Sequence, residues 1–169
     1  MASRNIDRAT PRMRIFIKNL ILEAWRRYKL RVIVTCVDRD IKEQAALYAQ
    51  GREELEVVNS LRKIAGLLPL SEEENNHCVT WTMRSEHLVD LGNETTEDDF
   101  SHAVDVAILG KNGQVSWSLK ADVNEDDIPD YLQLVELAHQ IDPTIVCGGD
   151  WKKPDYPHFQ DRPVKRKVA

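Results

Sequence analysis

The chain has 169 residues, 42% hydrophobic and 30% charged, enough for one domain with a real core and too few for two comfortable ones. A formal net charge of -5 and a pI near 5.6 argue against a dedicated nucleic-acid binder, whose affinity rests on neutralising phosphates. No apolar stretch approaches bilayer length, and the N-terminal residues lack the apolar run of a signal peptide. The expectations are synthesis in the cytoplasm and no integral membrane association.

Charge is unevenly spread. Nine Lys or Arg precede Val34 against only Asp7 and Glu23, and the tail Arg162 to Lys167 is basic again. Solvated helix faces and a frayed tail are the commoner meaning of such ends than a polyanion-binding surface. Cys36, Cys78 and Cys147 are far apart and form no Cys-x-x-Cys pair, so neither a disulfide framework nor a thiolate zinc site is suggested.

Residues 12–28 place Met13, Phe16, Ile17, Leu20, Ile21, Ala24 and Tyr28 at helical spacing and predict a core-covering helix. Arg31 to Val37 is nearly continuous in β-branched residues and predicts a strand buried on both faces. Asp40-Ile41-Lys42-Glu43 has the form of a helix start, running to about Gln50 and stopped by Gly51. A further helix is predicted within 53–70, a polar break at 71–76, and a short strand at Cys78 to Thr82. The acidic stretch Val89 to Asp99 has no period and predicts an exposed loop.

Ala103 to Leu109 predicts a strand, and the turn Gly110-Lys111-Asn112-Gly113 leads into Val115 to Leu119 as a hairpin. A helix follows from Ile128 to Ile141, with Pro129 in its first turn. A strand over Thr144 to Cys147 leads through Gly148-Gly149 to Asp155-Tyr156-Pro157-His158-Phe159 at the sheet's edge. The fold class is α+β, a small mostly antiparallel sheet flanked by helices, in a single domain over 1–169 with its core at about 12–160.

The segment Asp155 to Phe159 sets a carboxylate and an imidazole three positions apart. An isolated Asp-x-x-His is more often loop punctuation than chemistry. Its weight here comes from a second imidazole in Ser85-Glu86-His87 and a carboxylate inside the β-rich run His102-Ala103-Val104-Asp105. Two His and one Asp can hold a zinc ion. His77 and His139 have no second ligand at useful spacing. Glu97, Asp98 and Asp99 read as a solvated acidic loop.

Three segments together carry a family resemblance. Arg39 with Gln44, Leu47-Tyr48-Ala49-Gln50-Gly51-Arg52, the pair Ser85-x-His87 and Ala103-x-Asp105, and Gly148-Gly149-Asp150-Trp151 with Asp155-x-Pro157-His158-Phe159 resemble the motifs of one zinc peptidase family. That family includes D-Ala-D-Ala carboxypeptidases and phage L-alanyl-D-glutamate endolysins, and its fold is the zinc D-Ala-D-Ala carboxypeptidase/hedgehog-like architecture. The likeness spans roughly residues 12–160.

The resemblance implies a Zn2+ cofactor held by His87, Asp105 and His158, with Asp155 as general base. It implies that Arg39 stabilises developing charge and that Gln44 and Ser85 contact substrate. Trp151, following Gly148-Gly149-Asp150, is read as a substrate-contacting cleft floor, a position as often taken by a packing residue. The implied substrate is the peptidoglycan stem peptide, cut between L-Ala and D-Glu by a monomer. Without a signal peptide it would reach the wall after release or as part of a phage particle. A D,D-carboxypeptidase and an inactive wall-binding or virion module are the alternatives.

One departure stands out. The family's His and Asp lie about seven positions apart, whereas His87 and Asp105 are separated by eighteen, with 89–99 inserted and Ser101 where a Gly is expected. His102 becomes a rival first ligand. Strand alternation sends His102 and Asp105 to opposite faces and favours His87.

Overall fold

The computed structural model describes residues 3–89 and 99–161. The inserted segment at 90–98, with Glu97 and Asp98, and the basic tail from Arg162 lie outside the described residues.

Helix α1 (Pro11–Tyr28) starts where the Thr10 hydroxyl accepts from the Met13 N–H and proline occupies the first turn. Its buried stripe is Met13, Phe16, Ile17, Leu20 and Ala24. Strand β1 (Arg31–Cys36) follows, then α2 (Ile41–Ala49), capped by the Asp40 carboxylate on the Glu43 N–H. Helices α3 (Leu55–Ile64) and α4 (Glu72–Asn75) follow. Strands β2 (Ala103–Leu109) and β3 (Val115–Ser116) precede α5 (Asp130–Ile141), β4 (Val146–Cys147) and β5 (His158–Gln160).

The described residues build a five-stranded sheet with the path β1-β2-β5-β4 and β3 paired to β2. Each pairing is antiparallel. One face packs on α1 and α5 through Val32, Val104, Val106, Ile108 and Phe159, all in the core. Phe159 stacks at a tilt on Phe16, with ring centroids 5.7 Å apart. Alternation then turns Asp105, between Val104 and Val106, and His158, next to Phe159, to the other face. The core thereby aims the polar residues. No helix among the described residues is long and apolar enough to cross a membrane.

The α+β class and the antiparallel sheet agree with the sequence, but several elements differ. Cys78 to Thr82 is not a strand. Its carbonyls are taken by side chains instead: Gln44 donates to Thr82 O at 2.7 Å, and Arg52 to Thr80 O at 3.0 Å. The 53–70 helix ends at Ile64, where Gly66 adopts φ +70, and a capping box at Ser71 and Glu74 builds α4 in the predicted break. The hairpin strand stops at Ser116, leaving Trp117 exposed.

Strand β1 is only half-buried along its middle, because among the described residues it has a partner strand on one side alone. The Asp155 to Phe159 segment is not at the edge either: β5 lies between β2 and β4.

Between Val34 and Cys36 the β1–β2 register slips by one residue, so Val34 faces Val106 and Cys36 faces Asp105. Thr35 is the extra residue of a β-bulge. The bulge brings Cys36 onto Asp105's face, as bulges beside functional sites commonly re-aim a side chain.

Gly148 is where backbone passes backbone. A Cβ there would collide with the Asp155 carbonyl oxygen and stand 3.0 Å from His158 Cβ, while the Gly148 carbonyl accepts from Asp155 N–H at 2.9 Å. Gly148→Ala is therefore expected to cost about 1–3 kcal/mol, or roughly 2–12 °C in Tm for a chain of this size. A calorimetric melt unchanged within error would show that the turn tolerates a side chain.

Candidate functional site

Strands β1, β2 and β5 set Cys36, Asp105 and His158 abreast, since Cys36 pairs with Asp105 and Asp105 with His158. His87 joins from an irregular segment. That segment is pinned by main-chain bonds, Arg39 N–H to His87 O at 2.9 Å and Val89 N–H to Arg39 O at 3.2 Å.

The result is a triangle of ligand-type atoms. His87 Nε2 lies 3.0 Å from Asp105 Oδ1, His158 Nδ1 lies 2.9 Å from the same oxygen, and the two nitrogens are 3.3 Å apart. His87 is 2% and His158 7% exposed, so water competes little.

The far side of each ring fixes its tautomer. His87 Nδ1 is 2.7 Å from the Val37 carbonyl, and His158 Nε2 is 2.8 Å from Gln160 Oε1. Both partners are acceptors, so the imidazoles donate there and turn lone pairs to the triangle. Two lone pairs and a carboxylate oxygen converging in a buried space repel one another unless a positive charge sits among them.

Without a cation, a proton takes that place. Burial works against charge on His87, but the Asp105 carboxylate outweighs it and raises the His87 pKa to about 10. Burial likewise disfavours ionised Asp105, yet His87 and His158 hold its pKa far below the usual carboxylate range.

The donor set fits a zinc-type ion. Tetrahedral ligands at about 2.0–2.1 Å stand about 3.3 Å apart, and two imidazoles with one carboxylate leave a fourth position open. Cys36 Sγ, 3.6 Å from His87 Nδ1, faces the nitrogen already committed to Val37, so it does not join the triangle. A second group, His139, Cys147 and Asp150, is less apt because burial, reinforced by Asp150, pushes the Cys147 thiol up to about 12.

Arg39 spans the back of the site. It donates to Asp105 Oδ2 at 3.0 Å, Cys36 Sγ at 3.2 Å and Gln44 Oε1 at 3.2 Å. These use three of its five N–H groups, and the guanidinium borders the cleft.

Gln44 does not reach the cleft. It is fully buried, holding Arg39 with its oxygen and Thr82 O with its amide nitrogen. The substrate contact expected of Gln44 is thus corrected to positioning Arg39, because α2 turns it inward.

Asp155, Ser85 and Trp151 all line a cleft of about 890 Å3 that opens onto the triangle. The Asp155 pKa is raised, first by partial burial and then by Asp105, against the pull of His158, His87 and Arg39. Ser85 Oγ accepts from the main-chain N–H of His87 at 3.3 Å, and the Trp151 ring lies 5.1 Å from the His158 ring. Another concavity, of about 670 Å3 beside Arg27, Lys29 and Arg31, holds none of these residues.

His102 lies apart from the triangle, its Nδ1 4.0 Å from Asp161 Oδ2. Asp150 pairs with His139 at 2.9 Å and touches neither triangle imidazole.

Sequence reasoning missed Val37, Gln160 and Ser101, whose hydroxyl donates to the same Val37 carbonyl at 2.6 Å. Gln160 was open to inference, since it lies two residues beyond His158 and a strand puts both on one face. Val37 acts through its carbonyl, which no side-chain pattern reveals.

A family model described as D-alanyl-D-alanine carboxypeptidase matches residues 95–161, a span holding Asp105, Asp155 and His158 but not His87. The chain is 28% identical over 130 residues to the peptidoglycan L-alanyl-D-glutamate endopeptidase CwlK of Bacillus subtilis, covering 76% of this chain. It spans 59% of that relative's length. The Serratia marcescens L-Ala D-Glu endopeptidase ChiX has a similar fold, with TM-score 0.50, 20% identity, and coverage of 96% of this chain and 89% of that one. The resemblance read from the motifs is borne out by these matches.

His87→Ala is expected to abolish tight zinc binding and His102→Ala to leave it near wild type. Gln160→Ala should weaken it about 10–100-fold by freeing the His158 ring. Because the raised His87 pKa means a proton competes for the site, apparent zinc affinity should rise with pH from 6 to 9. Chelator-competition titrations at several pH values check all four, and a metal-free His102→Ala protein would overturn the ligand assignment.

Proposed function

We propose that this chain, similar in sequence and fold to peptidoglycan endopeptidases, is a zinc-dependent peptidase that hydrolyses the L-Ala–D-Glu bond of the stem peptide. The observation that carries the reading is the triangle of His87 Nε2, Asp105 Oδ1 and His158 Nδ1 at the floor of a cleft that also holds Asp155 and Arg39. A purely structural zinc closes its fourth position and needs neither base nor guanidinium.

When bound, zinc would lower the pKa of a coordinated water to about 7 and polarise the scissile carbonyl. The remaining work falls to the chain. Asp155 takes the proton from the attacking water and passes it to the leaving amine, and its raised pKa makes it a better base than an ordinary aspartate. The Arg39 guanidinium, which borders the cleft, stabilises charge that develops on the carbonyl oxygen or pairs with a substrate carboxylate. Asp105 and Gln44 hold that guanidinium still, so little reorganisation is needed at the moment of reaction. Trp151 bounds the cleft beside His158.

In this reading residues 1–169 act as one monomeric domain. The protein reaches the wall after release from the cytoplasm or on a phage particle, in the manner of endolysins. The matched family description supports a second reading, a D,D-carboxypeptidase removing terminal D-Ala.

Mass spectrometry of purified peptidoglycan, incubated with protein, with chelator, and with zinc restored, separates the two. New D-Glu amino termini that vanish with chelator support the endopeptidase, released D-Ala supports the carboxypeptidase, and an unchanged wall refutes both. Asp155→Asn is expected to keep its zinc and lose about 10²–10⁴-fold in kcat. Loss of zinc in that variant would make Asp155 a ligand and move the base elsewhere.

A further inference from the structure

Three of the chain's four tryptophans border the one cleft. Trp81, Trp117 and Trp151 are 67%, 56% and 39% exposed, and the chemistry proposed above uses only Trp151. Single exposed apolar residues are ordinary, but large aromatic rings gathered round a concavity mark a ligand surface.

Trp81 is held in place rather than left loose. Lys153 Nζ lies 4.7 Å from its ring centroid, and the Arg52 guanidinium lies 5.6 Å from it. Arg52 is itself stacked 4.2 Å from the Tyr48 ring and donates to Thr80 O at 3.0 Å. The 78–82 segment is tied to α2 through Gln44. These contacts restrain Trp81 while it stays 67% exposed, which lowers the ordering cost of binding.

The cleft, at about 890 Å3, lies at the upper end of the roughly 300–1,000 Å3 that accommodates a drug-sized ligand. Two residues flanking a scissile bond fill only part of it. A stem peptide joins its sugar through its first residue, L-Ala, and a lactyl ether. One residue spans about 3.5 Å and the lactyl group about as much, so the sugar ring lies within about 10 Å of the bond to be cut. A pyranose has a C–H face that lies flat on an aromatic ring and a rim of hydroxyl and acetamide groups. The cleft rim supplies polar partners in Arg84, Lys152 and Lys153.

We propose that Trp81 and Trp117 form a saccharide platform that takes the N-acetylated amino sugar of the glycan strand next to the stem peptide being cut. This rests on the substrate reading given above. It makes the glycan-linked peptide, not the free peptide, the preferred substrate.

The test is isothermal titration of wild-type protein with a peptide-free tetrasaccharide of alternating N-acetylglucosamine and N-acetylmuramic acid, an assay that needs no hydrolysis. Wild type should bind, Trp81→Ala and Trp117→Ala at least about tenfold more weakly, and Trp25→Phe, outside the cleft, as wild type. Trp81→Leu removes the aromatic face and should lose as much as Trp81→Ala, and both variants should melt calorimetrically at the wild-type temperature, which separates lost binding from a folding defect.

No binding by wild type, or wild-type affinity in both Trp81 variants and Trp117→Ala, overturns the platform. In parallel, kcat/KM for a disaccharide-linked tetrapeptide relative to the free tetrapeptide should fall about tenfold in Trp81→Leu, and an unchanged ratio refutes the specificity role. A protein that binds the tetrasaccharide but cuts no wall keeps the platform and sinks the peptidase reading. One that cuts wall without binding the tetrasaccharide does the reverse.

Discussion

The site depends on a single rank of side chains running across three strands. Cys36, Asp105 and His158 are cross-strand neighbours, and their common orientation is imposed from behind by Val104, Val106 and Phe159 in the core. A one-residue slip of β5 would turn Phe159 to the cleft and His158 into the core. The apolar packing of Phe159 against Phe16 therefore sets where the imidazole points. Hydrophobic burial supplies the energy and alternation converts it into aim.

Much of this was legible in the sequence. The α+β class, the antiparallel sheet and the long helices follow from periodicity, Asp105 stands out in an otherwise apolar strand, and His158 follows Asp155 in the Asp-x-x-His segment. What escaped was whatever depends on partners remote in sequence. Cys78 to Thr82 has the composition of a strand, yet Gln44 and Arg52 claim its carbonyls. Thr35 looks like one more β-branched residue, yet it is the bulge that puts Cys36 beside Asp105. Gln44 has the spacing of an apolar-face residue, and whether it meets a ligand or another side chain is decided by Arg39, five positions back. The ordinary rules of helix and strand hold throughout; hydrogen-bond accounting over long separations supplies the remainder.

Ser101 shows how an irregular feature is absorbed. The stretch between His87 and Asp105 is longer than the motif pattern anticipates, so its two ends must be brought together some other way. The Ser101 hydroxyl lies 2.6 Å from Val37 O and 3.3 Å from Glu86 O, and His87 Nδ1 meets the same Val37 carbonyl. One main-chain oxygen thus anchors the end of β1, the ring of His87 and the start of β2. A glycine at 101 would leave that junction without its hydroxyl. The residue that departs from the family pattern is the one that closes the longer segment.

The position of β5 has a consequence for the chain during synthesis. It is the last of the described strands to be made, yet it lies inside the sheet, and β4 has no other partner among the described residues. His158 follows His87 by 71 positions, so at roughly 5–20 residues per second a ribosome needs about 4–14 s between them. From residue 105 onward the nascent chain carries two donors, His87 and Asp105, with nothing to close them. A chain released before residue 158 has an unpaired β4 and an incomplete triangle, so translation must run through β5 before any of the chemistry exists.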